Sequence, residues 1–316
     1  MAGRYGDFAD DFYVNVNLNT EMELPSQRET VLGFFEQLKK QFPQMENFYS
    51  REKGEYVLEE KKENGAYRWA TVEAKRVCAG YVNPPTFEDA TAQQQVIAEL
   101  LPYFLSISPL DCESFNVMLG FDFTYRGNHN KLVAEALGLP SAFEGITQHP
   151  HARLIGFEPN IQFTLDEECK TQVRLSVETR TGAYHVRTGE YSEEQFSVFL
   201  TARHYGSLNS EKSYVDTYRD LTSHCEELMD QYVIENILVP LQQAIAEARK
   251  SLQDRIDGSG DEEREVDFSF ALAELNNRRQ RAQLEFSKSL QIQGMPVDFD
   301  ALDRLGYRTE IAQVLG

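Results

Sequence analysis

The chain is short of cysteine, of positive charge, of tryptophan and of long apolar runs, and each shortage excludes something. Its four cysteines, Cys78, Cys112, Cys169 and Cys225, stand far apart with no C-x-x-C pair. Neither a zinc knuckle nor a disulfide framework is expected from that spacing, only reduced thiols that pack as small hydrophobes. Lys and Arg number 31 against 51 Asp and Glu, a formal net charge of −20. A surface that anionic repels polyphosphates and acidic lipids, so neither nucleic acid nor a membrane is expected as a partner. No window approaches the roughly 18 apolar residues of a spanning helix, and the segment from Met1 to Asp11 has no apolar signal core. A cytoplasmic location is the simplest expectation.

Catalytic signatures are also missing. There is no phosphate-binding G-x-x-x-x-G-K-[ST], no G-x-G-x-x-G opening a helix after a strand, no G-x-S-x-G and no H-E-x-x-H. His149-Pro150-His151 is the one close histidine pair, with Glu144 or Glu158 as conceivable oxygen donors, but a proline between the histidines points to an irregular solvated loop. No catalytic residue, cofactor or metal is therefore assigned; enzymatic activity is left open, with the reading inclined against it.

What is present is core material and strong periodicity. Apolar residues are 41% of the 316, with 20 Phe and 15 Tyr, too much for a disordered chain. Phe12, Val14, Val16 and Leu18 alternate with Tyr13, Asn15, Asn17 and Asn19, which predicts a half-buried strand. Ser26 and Glu29 have capping-box spacing, and Val31, Phe34, Phe35 and Leu38 then recur at helical steps until Pro43. Residues 55–60 and 66–77 read as two strands joined through Asn64-Gly65. Thr86 caps a second expected helix, with Glu88 and Asp89 in its first turn. The run from Phe115 to Tyr125 alternates throughout.

In order, residues 11–126 give β-α-β-β-α-β, so the expected fold class is α+β, beginning with a ferredoxin-like unit at 1–127. A second antiparallel-sheet α+β unit is expected at 128–257: a short helix stopped by Gly138, strands near 153–165, 171–179 and 195–204, and a long helix from about 214 to 256 kinked at Pro240. The glycine-containing acidic linker from Asp257 to Glu263 opens a helical appendage at 258–316. In it Phe268, Leu272, Leu275, Phe286 and Leu290 form an amphipathic stripe, with a local charge of +2 over 268–290. A helix of that length is marginal alone in water and is expected to dock on a protein, either this chain's own body, a twin subunit or a different partner. Homo-oligomerisation is expected.

Two functional readings follow. The first is a non-enzymatic interaction or assembly protein that docks through the appendage. The second is a small-ligand sensor or enzyme with its site between the two expected sheets. The candidate surface is the sheet face the helices leave uncovered, where Asn15 and Asn17 of the first strand, Asn116, Asp122, Thr124 and Arg126 of the long strand, and Tyr67 and Trp69 should meet. Packing of a second domain or subunit on this face competes with ligand binding. Stacking of single-stranded RNA is disfavoured by charge, since residues 1–127 hold 12 basic and 20 acidic side chains. The opening strand, the helix ending Gln41-Phe42-Pro43, the run from Phe115 to Leu137 and the late helix with Leu228 and Leu238 resemble in layout, over residues 11–250, a sporadically distributed bacterial α+β protein family of unknown function. That resemblance implies a fold but no reaction and no site residues.

Overall fold

A computed structural model of the chain describes residues 5–51, 54–62, 65–140, 142–143, 145, 149, 151–208 and 212–258. The chain divides into two compact units, Met1–Glu247 and Ala248–Gly316. Asp257 and Gly258 of the expected linker end the last described helix; the rest of the linker and the appendage, including Phe268, Leu272, Leu275, Phe286 and Leu290, lie outside the described residues.

The first unit is a mixed α+β fold built on one nine-stranded antiparallel sheet. Its strands are β1 (Asp11–Thr20), β2 (Met45–Ser50), β3 (Tyr56–Glu60), β4 (Tyr67–Val72), β5 (Arg76–Val82), β6 (Cys112–Arg126), β7 (Asn160–Thr164), β8 (Thr171–Glu178) and β9 (Glu193–Tyr205). They lie in the order β2-β3-β4-β5-β1-β6-β9-β8-β7. The helices are α1 (Arg28–Gln41), α2 (Phe87–Phe104), α3 (His129–Leu137), α4 (Ala183–Thr188), α5 (Tyr214–Leu228) and α6 (Val239–Gly258), with a π-helical segment (Met229–Leu238) between the last two.

Alternation decides which side of the sheet is covered. On β1 every even position from Phe12 to Thr20 is buried, and every odd position is only partly so. The odd residues Phe115, Val117, Leu119, Phe121 and Phe123 of β6 share that inner side, as do Phe196, Val198, Leu200 and Ala202 of β9. Phe12 stacks on Phe121 at 5.1 Å and Phe123 on Phe196 at 5.3 Å between centroids. Helices α2 and α5 pack over these central strands, and α1 packs beside α2. Each large side chain buried there contributes about 1.5–3 kcal/mol of hydrophobic free energy.

Polar side chains are also used on the covered side. Gln94 of α2 is fully buried; its amide donates to the Val14 carbonyl at 2.7 Å, and its oxygen accepts from the Tyr218 hydroxyl at 3.0 Å. His129 is buried with the neutral ring's two roles fixed. Its Nε2 faces the Tyr125 carbonyl at 3.1 Å and so carries the proton, and its Nδ1 accepts from the Arg180 amide at 3.3 Å. Burial lowers its pKa below the usual histidine value.

Several expectations need correction. The second antiparallel sheet does not form: β9 pairs with β6 along Ser114–Arg126, so β7, β8 and β9 extend the first sheet and the expected boundary at residue 127 falls inside it. The single strand expected at 66–77 is two, β4 and β5, which turn at Glu73–Lys75 without the glycine or asparagine that would have marked a hairpin. It is β5, not β4, that lies beside β1. Strand β2 was not expected because only Met45 in it is buried; an edge strand needs no apolar phase. Ser26 does not cap α1, whose N-cap is Gln27. Thr86 does cap α2, accepting from the Asp89 amide at 3.1 Å, and Asn128 caps α3. The kink expected at Pro240 is preceded by the π-helical segment, where the ladder widens before reaching a residue with no N–H to offer.

Candidate functional site

The side of the sheet opposite the helices carries the polar phase of β1, β6, β7, β8 and β9. Register places Tyr67 of β4, Val82 of β5, Tyr13 of β1, Gly120 of β6 and Phe199 of β9 in one row across it. The next row holds Trp69, Gly80, Asn15, Met118 and Thr201.

Each row has a glycine beside a large ring: Gly120 beside Tyr13 in the first and Gly80 beside Trp69 in the second. A Cβ on Gly80 would stand 2.1 Å from Asn15 Oδ1 and 2.7 Å from the Trp69 Nε1, and one on Gly120 would stand 2.2 Å from the Tyr13 ring. These two glycines let the indole and the phenol lie down on the backbone of the neighbouring strands. From beneath, the buried Gln93 amide donates to the carbonyls of Trp69 at 3.3 Å and Gly80 at 3.4 Å, tying α2 to the floor.

The result is a cleft of about 500 Å³ bounded by Asp11, Tyr13, Asn15, Tyr67, Trp69 and Asp122, with Gly65 and Val82 completing it. Three aromatic rings and two carboxylates line it, and among the described residues no basic side chain is part of the lining, although Lys62 Nζ rests on the Tyr67 ring. Asp122 accepts from the Tyr13 hydroxyl at 3.2 Å, and burial raises the pKa of both groups. Asp11 accepts from Asn83 Nδ2 at 2.6 Å and from Gln195 Nε2 at 2.7 Å. Asn83 itself sits in the left-handed region with φ of 47° and takes the Phe12 amide on its Oδ1, which pins the rim. The Asn15 Oδ1 is buried and has no hydrogen-bond donor among the described residues. A buried carbonyl oxygen left in that state costs stability unless a ligand or water supplies a donor.

Of the eight residues expected at the site, Asn15, Tyr67, Trp69 and Asp122 line this cleft. Asn17 and Asn116 are adjacent but turned to each other, the Asn17 Nδ2 donating to Asn116 Oδ1 at 3.2 Å across the β1–β6 ladder. Thr124 and Arg126 lie further along β6: the Thr124 amide is held by Asp10 Oδ2 at 2.6 Å, and Arg126 Nε donates to the Tyr191 carbonyl at 3.1 Å. Sequence reasoning missed Asp11 and Tyr13, although both are on the polar phase of β1, and Asn83, which no periodicity marks. Among the described residues, which include His149 and His151 but not Glu144, no cluster of three or more metal-ligating side chains occurs. Nor, among the described residues, is any helix long and apolar enough to cross a membrane.

No protein-family model matches the chain, and no curated protein matches it either.

Proposed function

We propose that the protein is a small-ligand-binding protein, with the aromatic and acidic cleft of β1, β4, β5 and β6 as its site and an organic cation as the ligand class. The observation that carries this reading is the lining itself: Tyr13, Tyr67 and Trp69 with Asp11 and Asp122. Aromatic faces attract cations through their quadrupole, by about 0.5–2 kcal/mol per ring depending on desolvation. Within this protein Lys62 Nζ already rests 4.9 Å from the Tyr67 ring centroid. A cation between the rings would also offset the cost of keeping the half-buried Asp122 ionised, and a donor on it would complete Asn15 Oδ1. The order β6-β1-β5-β4, with helices leaving β1 and β5, supports regarding this part of the sheet as a ferredoxin-like unit to which the β2–β3 hairpin is added beyond β4.

Trp69 is the only tryptophan in the chain, so its emission reports on this cleft alone. Titration of the full chain with choline, and with its neutral isostere 3,3-dimethyl-1-butanol, tests the reading. Saturable change with choline, at least about tenfold weaker with the neutral compound and with Asp122→Asn, is expected; tenfold corresponds to about 1.4 kcal/mol. Equal responses to the two compounds, or none to choline or to benzyltrimethylammonium, would overturn it.

A further inference from the structure

Beyond β6 the same open side changes sign. Arg174 of β8 and Arg203 of β9 both stand on the polar phase, and register pairs Arg174 with Thr201 and Arg203 with Gln172. The two arginines are thus diagonal neighbours across the β8–β9 ladder, about 7–8 Å apart at the backbone, within reach of long side chains. With Gln162, Tyr205, Met118 and Phe199 they line a cavity of about 300 Å³.

In a chain of net charge −20, neither guanidinium has a carboxylate within salt-bridge distance among the described residues. Arg174 Nε donates to Asn160 Oδ1 at 3.2 Å, and Arg203 Nη1 donates to the Tyr205 hydroxyl at 2.9 Å. Arg203 Nε is buried with no acceptor among the described residues. One acid, Glu178, also lines the cavity, on the same face of β8 as Arg174; its carboxylate lies 3.9 Å from Arg180. Adjacent like charges repel, and a buried donor without an acceptor costs free energy. Both costs disappear when a doubly coordinated oxyanion lies between the two forks, the geometry for which guanidinium is suited.

We infer that this cavity is a second binding site, for the oxyanion group of a small molecule, phosphate monoester or carboxylate, whose apolar part lies against Met118 and Phe199. The site is separate from the acidic cleft and does not depend on it: the two are lined by different residues, and neither shares a side chain with the other.

Isothermal titration of the full chain with phenyl phosphate, benzoate and inorganic phosphate, at ionic strength held constant with sodium chloride, tests this inference. Saturable binding is expected, with phenyl phosphate tighter than inorganic phosphate, and Arg174→Gln and Arg203→Gln should each weaken it about tenfold or more. Arg180→Gln should leave it unchanged. A preference for phenyl phosphate over benzoate identifies a phosphoryl group as the natural one, and the reverse a carboxylate. The exposed Arg174 variant keeps the test decisive should the half-buried Arg203 variant fold poorly. No binding of any of the three anions at about 10 mM, or undiminished binding by Arg174→Gln, would overturn the proposal. The choline titration reads a different cleft, so its failure and this one are distinguishable.

Discussion

Two arginines on opposite sides of the sheet have been treated in opposite ways. Arg68 of β4 points to the covered side, where its guanidinium lies 4.1 Å from the Tyr81 centroid and 5.0 Å from that of Phe42. It is paired with Glu60 at 2.8 Å, and the two side chains are only 15% and 11% exposed. Arg203 of β9 points to the open side, also rests near an aromatic ring, 5.4 Å from Tyr205, and among the described residues has no acid within salt-bridge distance; the Nε of both arginines is buried without an acceptor there. Where the fold must satisfy a buried cation for its own sake, it supplies the carboxylate from the neighbouring strand. Where it does not, the counter-charge has been left for something else to bring.

The largest effect that would sharpen this contrast is loss of the acid. Glu60→Gln strands a buried guanidinium and should destabilise the protein by about 3–5 kcal/mol in urea unfolding, whereas removing both partners together should cost far less. Next, Gly80→Ala forces Trp69 and Asn15 off the backbone; a loss of about 1–3 kcal/mol and a red-shifted Trp69 emission are expected, because the indole leaves its bed. A smaller effect comes from His129. Its folded pKa is depressed, so between that value and the ordinary value of about 6.5 the unfolded chain binds more protons, and stability present above about pH 6.5 is lost as pH falls. A thermal midpoint that declines on acidification in the wild type, less steeply in His129→Gln, would bear this out. The smallest effect separates the arginines: Arg203→Gln should shift unfolding by no more than about 0.5 kcal/mol, or raise stability. A loss comparable to that of Glu60→Gln would make Arg203 a structural residue and erase the comparison.

Much of the fold is legible in local pattern. The alternation of β1 and β6, the apolar steps of α1 and α2 and the cap at Thr86 each record a local preference, and each appears in the structure. Neighbourhood does not leave such a record. Period two says that Phe121 and Phe123 share a side, but nothing in it says that β9 rather than a separate sheet will pair with β6, and that one long-range choice makes one sheet out of two expected units. Strand β5 was fused with β4 because Glu73-Ala74-Lys75 turns without turn-forming residues, and this displaced the expected neighbour of β1 by one strand. The cleft was half visible for the same reason. Trp69, Tyr67, Asn15 and Asp122 follow from phase and a correct pairing of β1 with β6, whereas Tyr13 was passed over as an ordinary strand residue. The arginine cavity was missed altogether, although its signal was present: Gln172-x-Arg174 and Thr201-x-Arg203-x-Tyr205 both hold polar residues at alternate positions of strands that turn out to be adjacent.

The position of β6 has a consequence for the order of synthesis. Residues 11–126 include every strand on one side of it, and its other flank is matched only by Glu193–Tyr205, made some seventy residues later by the ribosome. A nascent chain whose first six strands have already assembled therefore displays, down the whole length of its longest strand, a row of amides and carbonyls awaiting a mate. During that interval the flank of β6 is an unpaired edge open to pairing with another chain, and a chaperone that shields it would act there.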